Sequence, residues 1–315
     1  MKSSRLADLS LLFVAMMWGC TFLIVQNAVK VLPPLAFNGF RFIGASLLLA
    51  LIISIFYRDQ WRQMSRKMWL HGALLGIFLF LGYGLQTMGL LYTTTSNAGF
   101  ITGLSVVLVP MIAATLLRHK LSRYTWFSVL LAAAGLYMLT FSGGIMKWNY
   151  GDMLILLCAV AFALQIAFTG IYAPHYPALA LSVIQLAVVG VLSTIFSFFI
   201  EDVGPLSQTL DLLVQPDVLI ALLISIGPTS AFAFWIQTAC QQYTTPSRVA
   251  VIFTMEPVFA AFTGVFFAGE KIGTLALFGC LLILIGMITA ELKSANNTAV
   301  QENKIEINSR REPNV

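Results

Sequence analysis

Charge is what this sequence most lacks. Of 315 residues only 10% are Asp, Glu, Lys or Arg, against about 25% in a soluble domain, while 59% are hydrophobic and the mean hydropathy is +0.87. So few charges cannot cover a water-facing surface of this length, which excludes soluble domains, disordered chains, collagen-like repeats and coiled coils. Cysteine is sparse too: Cys20, Cys158, Cys240 and Cys280 form no C-x-x-C pair, so a disulfide scaffold is excluded and free, buried thiols are expected. Three scattered histidines, His71, His119 and His175, offer no metal-ligand spacing. No G-x-x-x-x-G-K-[ST] run is present to cradle ATP phosphates, and no G-x-S-x-G or paired carboxylate within one apolar run supports catalysis. Neither an enzyme nor a cofactor is therefore expected. The net charge of +5 is dispersed in short basic clusters between apolar runs, a topology signal rather than a nucleic-acid patch.

What the chain has is apolar length. A helix crossing the hydrocarbon core needs about 20 mostly apolar residues, and ten segments qualify: 8–29, 34–56, 70–92, 97–117, 123–141, 151–172, 178–200, 218–238, 247–267 and 273–292. The expected fold class is an all-α integral membrane protein with ten transmembrane helices. Short turns rich in Pro, Gly, Ser and Asn separate them. The first run follows Lys2 and Arg5 like a signal peptide, but it is long enough to span, has no A-x-A-like cleavage site and is followed by further spans. It reads as a retained helix. Counting from an inside start, 14 of the 18 Lys and Arg fall on inner segments, three (Lys30, Lys147, Lys271) fall on outer ones, and Arg41 lies within a span. The positive-inside rule then puts both termini in the cytoplasm of a multi-pass plasma-membrane protein. The outer loop 201–217, with four acids and no base, agrees. The polar residues 294–315 read as a disordered tail.

Self-comparison shows a duplication. A shift of 151 places Gln86-Thr87 on Gln237-Thr238, Tyr92-Thr93-Thr94 on Tyr243-Thr244-Thr245, Ser96 on Ser247 and Gly135 on Gly286. A shift of 144 places Asp8 on Asp152, Trp18 on Phe162, Pro33 on Pro177 and Arg41 on Gln185. Polar and aromatic matches this dense are hard to obtain from chance similarity of two greasy stretches. The repeats are 1–145 and 146–293, each of five helices. Five is odd, so the second copy must enter the membrane upside down relative to the first. Two inverted five-helix repeats around a central cavity are the architecture of many secondary transporters.

Several short motifs then stand in order: Trp18-Gly19, Pro34-x6-Arg41-Phe42, Tyr92-Thr93-Thr94-x-Ser96-Asn97-Ala98, Glu256-Pro257 and Gly269-Glu270-Lys271. With them the sequence resembles the drug/metabolite transporter superfamily, in its ten-helix EamA group, over residues 7–292. The resemblance implies export or exchange of small metabolites, often amino acids, without ATP hydrolysis, and names no substrate. The halves differ at Val106, which stands where the second half has Pro257; the nearest proline of the first half is Pro110.

Two charged residues lie within spans. A charge near midplane costs about 2.5–3.5 kcal/mol on insertion scales, so Arg41 should face a cavity or a partner. It either binds a substrate carboxylate or steadies a gate, or it is a packing residue satisfied by carbonyls or snorkelling outward. Glu256, directly before the helix-distorting Pro257, suits a proton carrier; the competing reading is a carboxyl kept protonated, or paired with Arg41, as a static structural tie. Trp18, Tyr83, Gln86, Asn97, Trp235 and Gln237 are weaker candidates for substrate contact, each of which could instead pack against lipid or other helices. Pro110, Pro228 and Pro257 are candidate hinges or fixed kinks. The glycine pairs Gly72/Gly76 and Gly99/Gly103 have the spacing of close helix crossings.

The leading expectation is a secondary transporter exporting small polar metabolites, such as amino acids or their derivatives, by alternating access with proton coupling. Proton-coupled efflux of lipophilic cationic drugs is the alternative, and a membrane scaffold or lipid-handling protein is the alternative of another class. Expected partners are a small-molecule substrate and the lipid bilayer, with a homodimer left open.

Overall fold

A chain in lipid must satisfy its backbone hydrogen bonds internally, and a helix does so residue by residue. The computed structural model describes residues 2–93, 95–116, 122–140, 149–202, 204–268 and 273–289, apart from the side chains of 2–4, 95–97, 140, 206–208, 264, 267 and 268. The expected tail 294–315 and the repeat junction at 145/146 lie outside these residues.

The described chain runs as ten antiparallel passes. The first is Lys2–Ala28, the second Pro34–Phe56 and the third Arg66–Gly89. The fourth comprises Thr95–Gly103 and Ser105–Thr115, and the fifth is Arg123–Thr140. The sixth is Tyr150–Tyr172 and the seventh Ala178–Ile200. The eighth spans Pro216–Cys240, the ninth comprises Pro246–Phe253 and Met255–Ala268, and the tenth is Thr274–Thr289. Seven of these helices are long and apolar enough to cross a membrane by themselves. The described part of the tenth is shorter. One end of the bundle holds Lys2 and the other holds Pro34; these are the Lys2 side and the Pro34 side below.

Several helices begin earlier than hydropathy suggests, because capping extends them into polar sequence. The third starts at Arg66 rather than 70, with the Ser65 hydroxyl accepting from the Met68 N–H at 3.2 Å. The sixth starts with a complete capping box, in which Asn149 and Asp152 accept each other's backbone N–H at 3.0 Å. The second starts at a Pro-Pro pair, which has no capping side chain of its own. Its free Leu35 and Ala36 N–H groups donate instead to the Glu201 carboxylate at 2.7 and 3.0 Å, and Ser197 donates to the same carboxylate at 2.8 Å. Loss of a helix cap costs about 1 kcal/mol, so Glu201→Ala should lower the thermal midpoint of the purified protein by a few degrees without stopping transport. An unchanged melt would show that the cap carries no stability.

The duplication is visible in hydrogen bonds. In the first repeat Asn38 Nδ2 donates to the Tyr83 carbonyl (3.2 Å) and to Thr87 Oγ1 (2.9 Å). In the second, Ser182 Oγ donates to the Phe234 carbonyl (3.2 Å) and to Thr238 Oγ1 (3.1 Å). Residue 182 is 144 beyond 38, while 234 and 238 are 151 beyond 83 and 87, so both offsets recur in space. The contacts exchange likewise: the second span packs on the seventh, the third on the sixth as the eighth on the first, and the first on the ninth as the sixth on the fourth. Small residues set these crossings. Gly72 and Gly76 admit Ile184 and Val188 of the seventh span, and Gly135 and Gly279 meet backbone to backbone between the fifth and tenth.

Candidate functional site

The two repeats enclose a cavity of about 340 Å³. Its floor is built around Arg41, placed by the second span and only 4% exposed. The guanidinium finds neutral partners on the eighth span: Nε donates to Ser230 Oγ at 2.7 Å, and Nη2 lies 3.5 Å from both the carbonyl and the hydroxyl of Thr229. It also lies over two rings, 4.8 Å from the centre of Phe42 and 4.9 Å from that of Tyr83, each such contact contributing about 0.5–2 kcal/mol.

Those acceptors are available because the eighth span is not a plain α-helix. Pro228 has no N–H to return to the preceding turn, and Gly227–Phe232 widens into a π-helical segment, a form that concentrates at functional sites. Thr229 Oγ1 reaches back to the Ile224 and Ser225 carbonyls at 3.4 Å. The Thr229 carbonyl is in turn left to accept Trp18 Nε1 at 2.8 Å. The widened turn therefore joins the first, second and eighth spans at one point.

Aromatic rings wall the floor. Trp18 lies 5.5 Å from Phe234 and 5.0 Å from Phe253, and Tyr83 lies 5.0 Å from Phe162. Across from Arg41, Glu256 lines the cavity in the first turn of Met255–Ala268, where a carboxylate favours the helix dipole. The break at Thr254 and the following Pro257 put an irregular stretch of backbone beside it. Glu256 makes no hydrogen bond or ion pair with a described residue. Arg41 and Glu256 form no ion pair, so the paired form of the static tie weighed from sequence is absent.

Amides extend the polar surface. Gln86 donates to Thr102 at 3.3 Å. Gln237 donates to Gln165 (3.1 Å) and Gln241 (3.2 Å), Gln165 to Gln185 (3.3 Å), and Gln185 to Thr238 (3.0 Å). Gln185 holds the repeat position of Arg41, so the second half sets a neutral amide chain where the first sets a cation. The site is charged on one side of an otherwise matched pair.

The EamA-like transporter family model matches this chain twice, over residues 5–141 and 149–290. The chain belongs to that family. An uncharacterized transporter of Archaeoglobus fulgidus is 34% identical over 91% of this chain and 86% of its own length. The uncharacterized transporter YoaV of Bacillus subtilis is 24% identical over 89% of this chain and 94% of its own. A solved structure described only as "Crystal structure of protein" shares the fold, with a TM-score of 0.75 at 18% identity over 93% of this chain and 98% of that one. This EamA-like protein is thus a multi-pass membrane transporter, grouped with transporters rather than enzymes.

Of the residues singled out from sequence, the transporter brings Trp18, Arg41, Tyr83, Gln86, Gln237, Glu256 and Pro257 to the cavity. Trp235 is not among them: it packs edge-on to Phe232, 6.3 Å between ring centres, while its neighbour Phe234 takes the cavity face. Pro110 sits inside Ser105–Thr115 in the packed interior, and Pro228 acts behind the wall through the π-helical segment. The side chain of Asn97 lies outside the described residues. Sequence reading missed Phe162, Phe234, Gln165, Thr102 and Ser105, all on the cavity. The duplication carried a signal for three of them: Phe162, Phe234 and Ser105 hold the repeat positions of Trp18, Tyr83 and Glu256.

Proposed function

We propose that this transporter exports small polar metabolites bearing a carboxylate, amino acids or their derivatives, by alternating access, and that Glu256 carries the coupled proton. The observation behind the reading is the pair of opposed groups in one cavity. Among the described residues Arg41 is held only by neutral oxygens and rings, so its charge is left for an anion. Glu256, without a partner among those residues, is available to an ammonium group or a proton. The volume of about 340 Å³ suits a small metabolite, pockets for drug-sized ligands running from about 300 to 1,000 Å³. The Lys2 side holds most of the basic residues, which supports a cytoplasmic assignment for it, in the plasma membrane.

The test is transport in proteoliposomes, with and without an imposed pH gradient, across the amino acids and a panel of cationic dyes. The proposal expects pH-driven movement of amino acids and none of the dyes. Dye movement without amino acid movement would overturn it in favour of drug efflux. A hydrogen bond to a charged group contributes about 1.5–3 kcal/mol, so Arg41→Gln should raise KM for carboxylate substrates by roughly ten- to a hundredfold and spare their amides. Equal loss for acids and amides would show that Arg41 only holds the helices.

A further inference from the structure

Asp8 of the first span and Arg248 at the start of the ninth form an ion pair on the Lys2 side, 5% and 7% exposed respectively. On the same side Leu11 and Ala15 of the first span, Val109 of the fourth, and Val249 and Ile252 of the ninth share one buried cluster. Gln241 ties the eighth span to the Ile166 carbonyl at 2.8 Å.

The Pro34 side is built from the same parts and is arranged differently. The repeat position of Ala250 is Gly99, and those of Val106 and Val109 are Pro257 and Ala260. These three counterparts line the cavity, which Ala250, Val106 and Val109 do not. The faces that the fourth and ninth spans bury on the Lys2 side are therefore turned to the cavity on the Pro34 side. The ion pair has no counterpart there either. Asp152, at the repeat position of Asp8, is engaged with the Asn149 N–H at 3.0 Å and the Thr93 hydroxyl at 2.5 Å. The repeat position of Arg248 is Asn97, a neutral amide.

From this asymmetry we infer that the Asp8–Arg248 pair is a latch, present at only one of the two gates, which sets the resting transporter with its cavity toward the Pro34 side. In this end Arg248 Nε is buried without an acceptor among the described residues, so within them the latch is incompletely satisfied. When the Lys2 side opens, water reaches both charges and the desolvation that makes a lone buried charge costly disappears. Removing one partner takes a contact from the closed state alone, so it shifts the population toward the open one. The inference rests on the alternating-access reading above.

The experiment measures conformation rather than transport. In a chain whose four native cysteines are replaced by alanine, Ala15→Cys reports the Lys2 gate and Thr263→Cys reports the Pro34-side cavity. Each is labelled in oriented vesicles by a membrane-impermeant maleimide from its own side. Asp8→Asn and Arg248→Gln should each raise Ala15→Cys labelling at least tenfold and slow Thr263→Cys labelling. The exchange Asp8→Arg with Arg248→Asp should restore both rates. Unchanged Ala15→Cys labelling in folded single variants, or an exchange labelled as fast as the singles, overturns the latch and leaves alternating access standing. Faster Ala15→Cys labelling with Thr263→Cys unaffected would mean that the two gates are not linked, which overturns alternating access and with it the latch's effect on orientation.

Discussion

Glu256→Gln in reconstituted vesicles will let substrate equilibrate across the bilayer but will no longer accumulate it when a pH gradient is imposed. One proton moved down one pH unit supplies about 1.4 kcal/mol, enough for roughly tenfold accumulation of a substrate exchanged one for one. The native transporter should show that gain and the variant none. Glutamine matches glutamate in shape and keeps an oxygen acceptor, but it cannot bind and release a proton in the working pH range. Because the Glu256 carboxylate has no partner among the described residues, its replacement strands none of their side chains, and the melt should stay near that of the native protein. That separates loss of coupling from loss of fold. A variant with undiminished pH-driven accumulation would remove Glu256 from the proton path.

A second large effect is expected at Gly19. Here the first span crosses the ninth so closely that an added Cβ would press against the Glu256 carbonyl, the Phe259 Cβ and the Ala260 N–H. Two of these three are backbone, which cannot rotate out of the way as a side chain can. The crossing also carries two cavity residues: Trp18, next to Gly19 in sequence, and Glu256, whose carbonyl faces Gly19. Overpacking a tight contact costs about 1–3 kcal/mol, and separating these helices displaces both side chains at once. Gly19→Val should therefore abolish transport while folded protein remains recoverable, with Gly19→Ala in between. Transport rate and thermal midpoint measured on the same preparations test this. Native activity in Gly19→Val would show that the crossing has slack.

The architecture was readable from sequence because the bilayer imposes it: ten apolar stretches, a basic bias between them and two internal offsets. Those offsets return in the hydrogen bonds of Asn38 and Ser182. Side-chain direction was the part that could not be read. Trp235 and Phe234 are adjacent on a helix that turns about 100° per residue, and the π-helical segment just before them alters that register. Hydropathy alone could not decide which ring reaches the cavity. The breaks at Leu104 and Thr254 were invisible for a related reason, since neither residue is a strong helix breaker. Gln165 read as one polar residue in an apolar run, and only the fold shows it meeting Gln237 from 72 positions away. The early helix starts at Lys2 and Arg66 were missed because basic side chains can reach the interface along their stems.

The widened turn at Gly227–Phe232 also bears on how freely the halves can be interchanged. The third span, which holds the matching place in the first repeat, is an uninterrupted α-helix from Arg66 to Gly89. A chimera carrying a second copy of the third span in place of the eighth would keep the hydropathy and the topology. It would lack the displaced carbonyl on which Trp18 and Arg41 converge, and both would point at ordinary helix wall. The two copies thus differ in backbone as well as in side chains, and simple exchange of segments would not restore their symmetry.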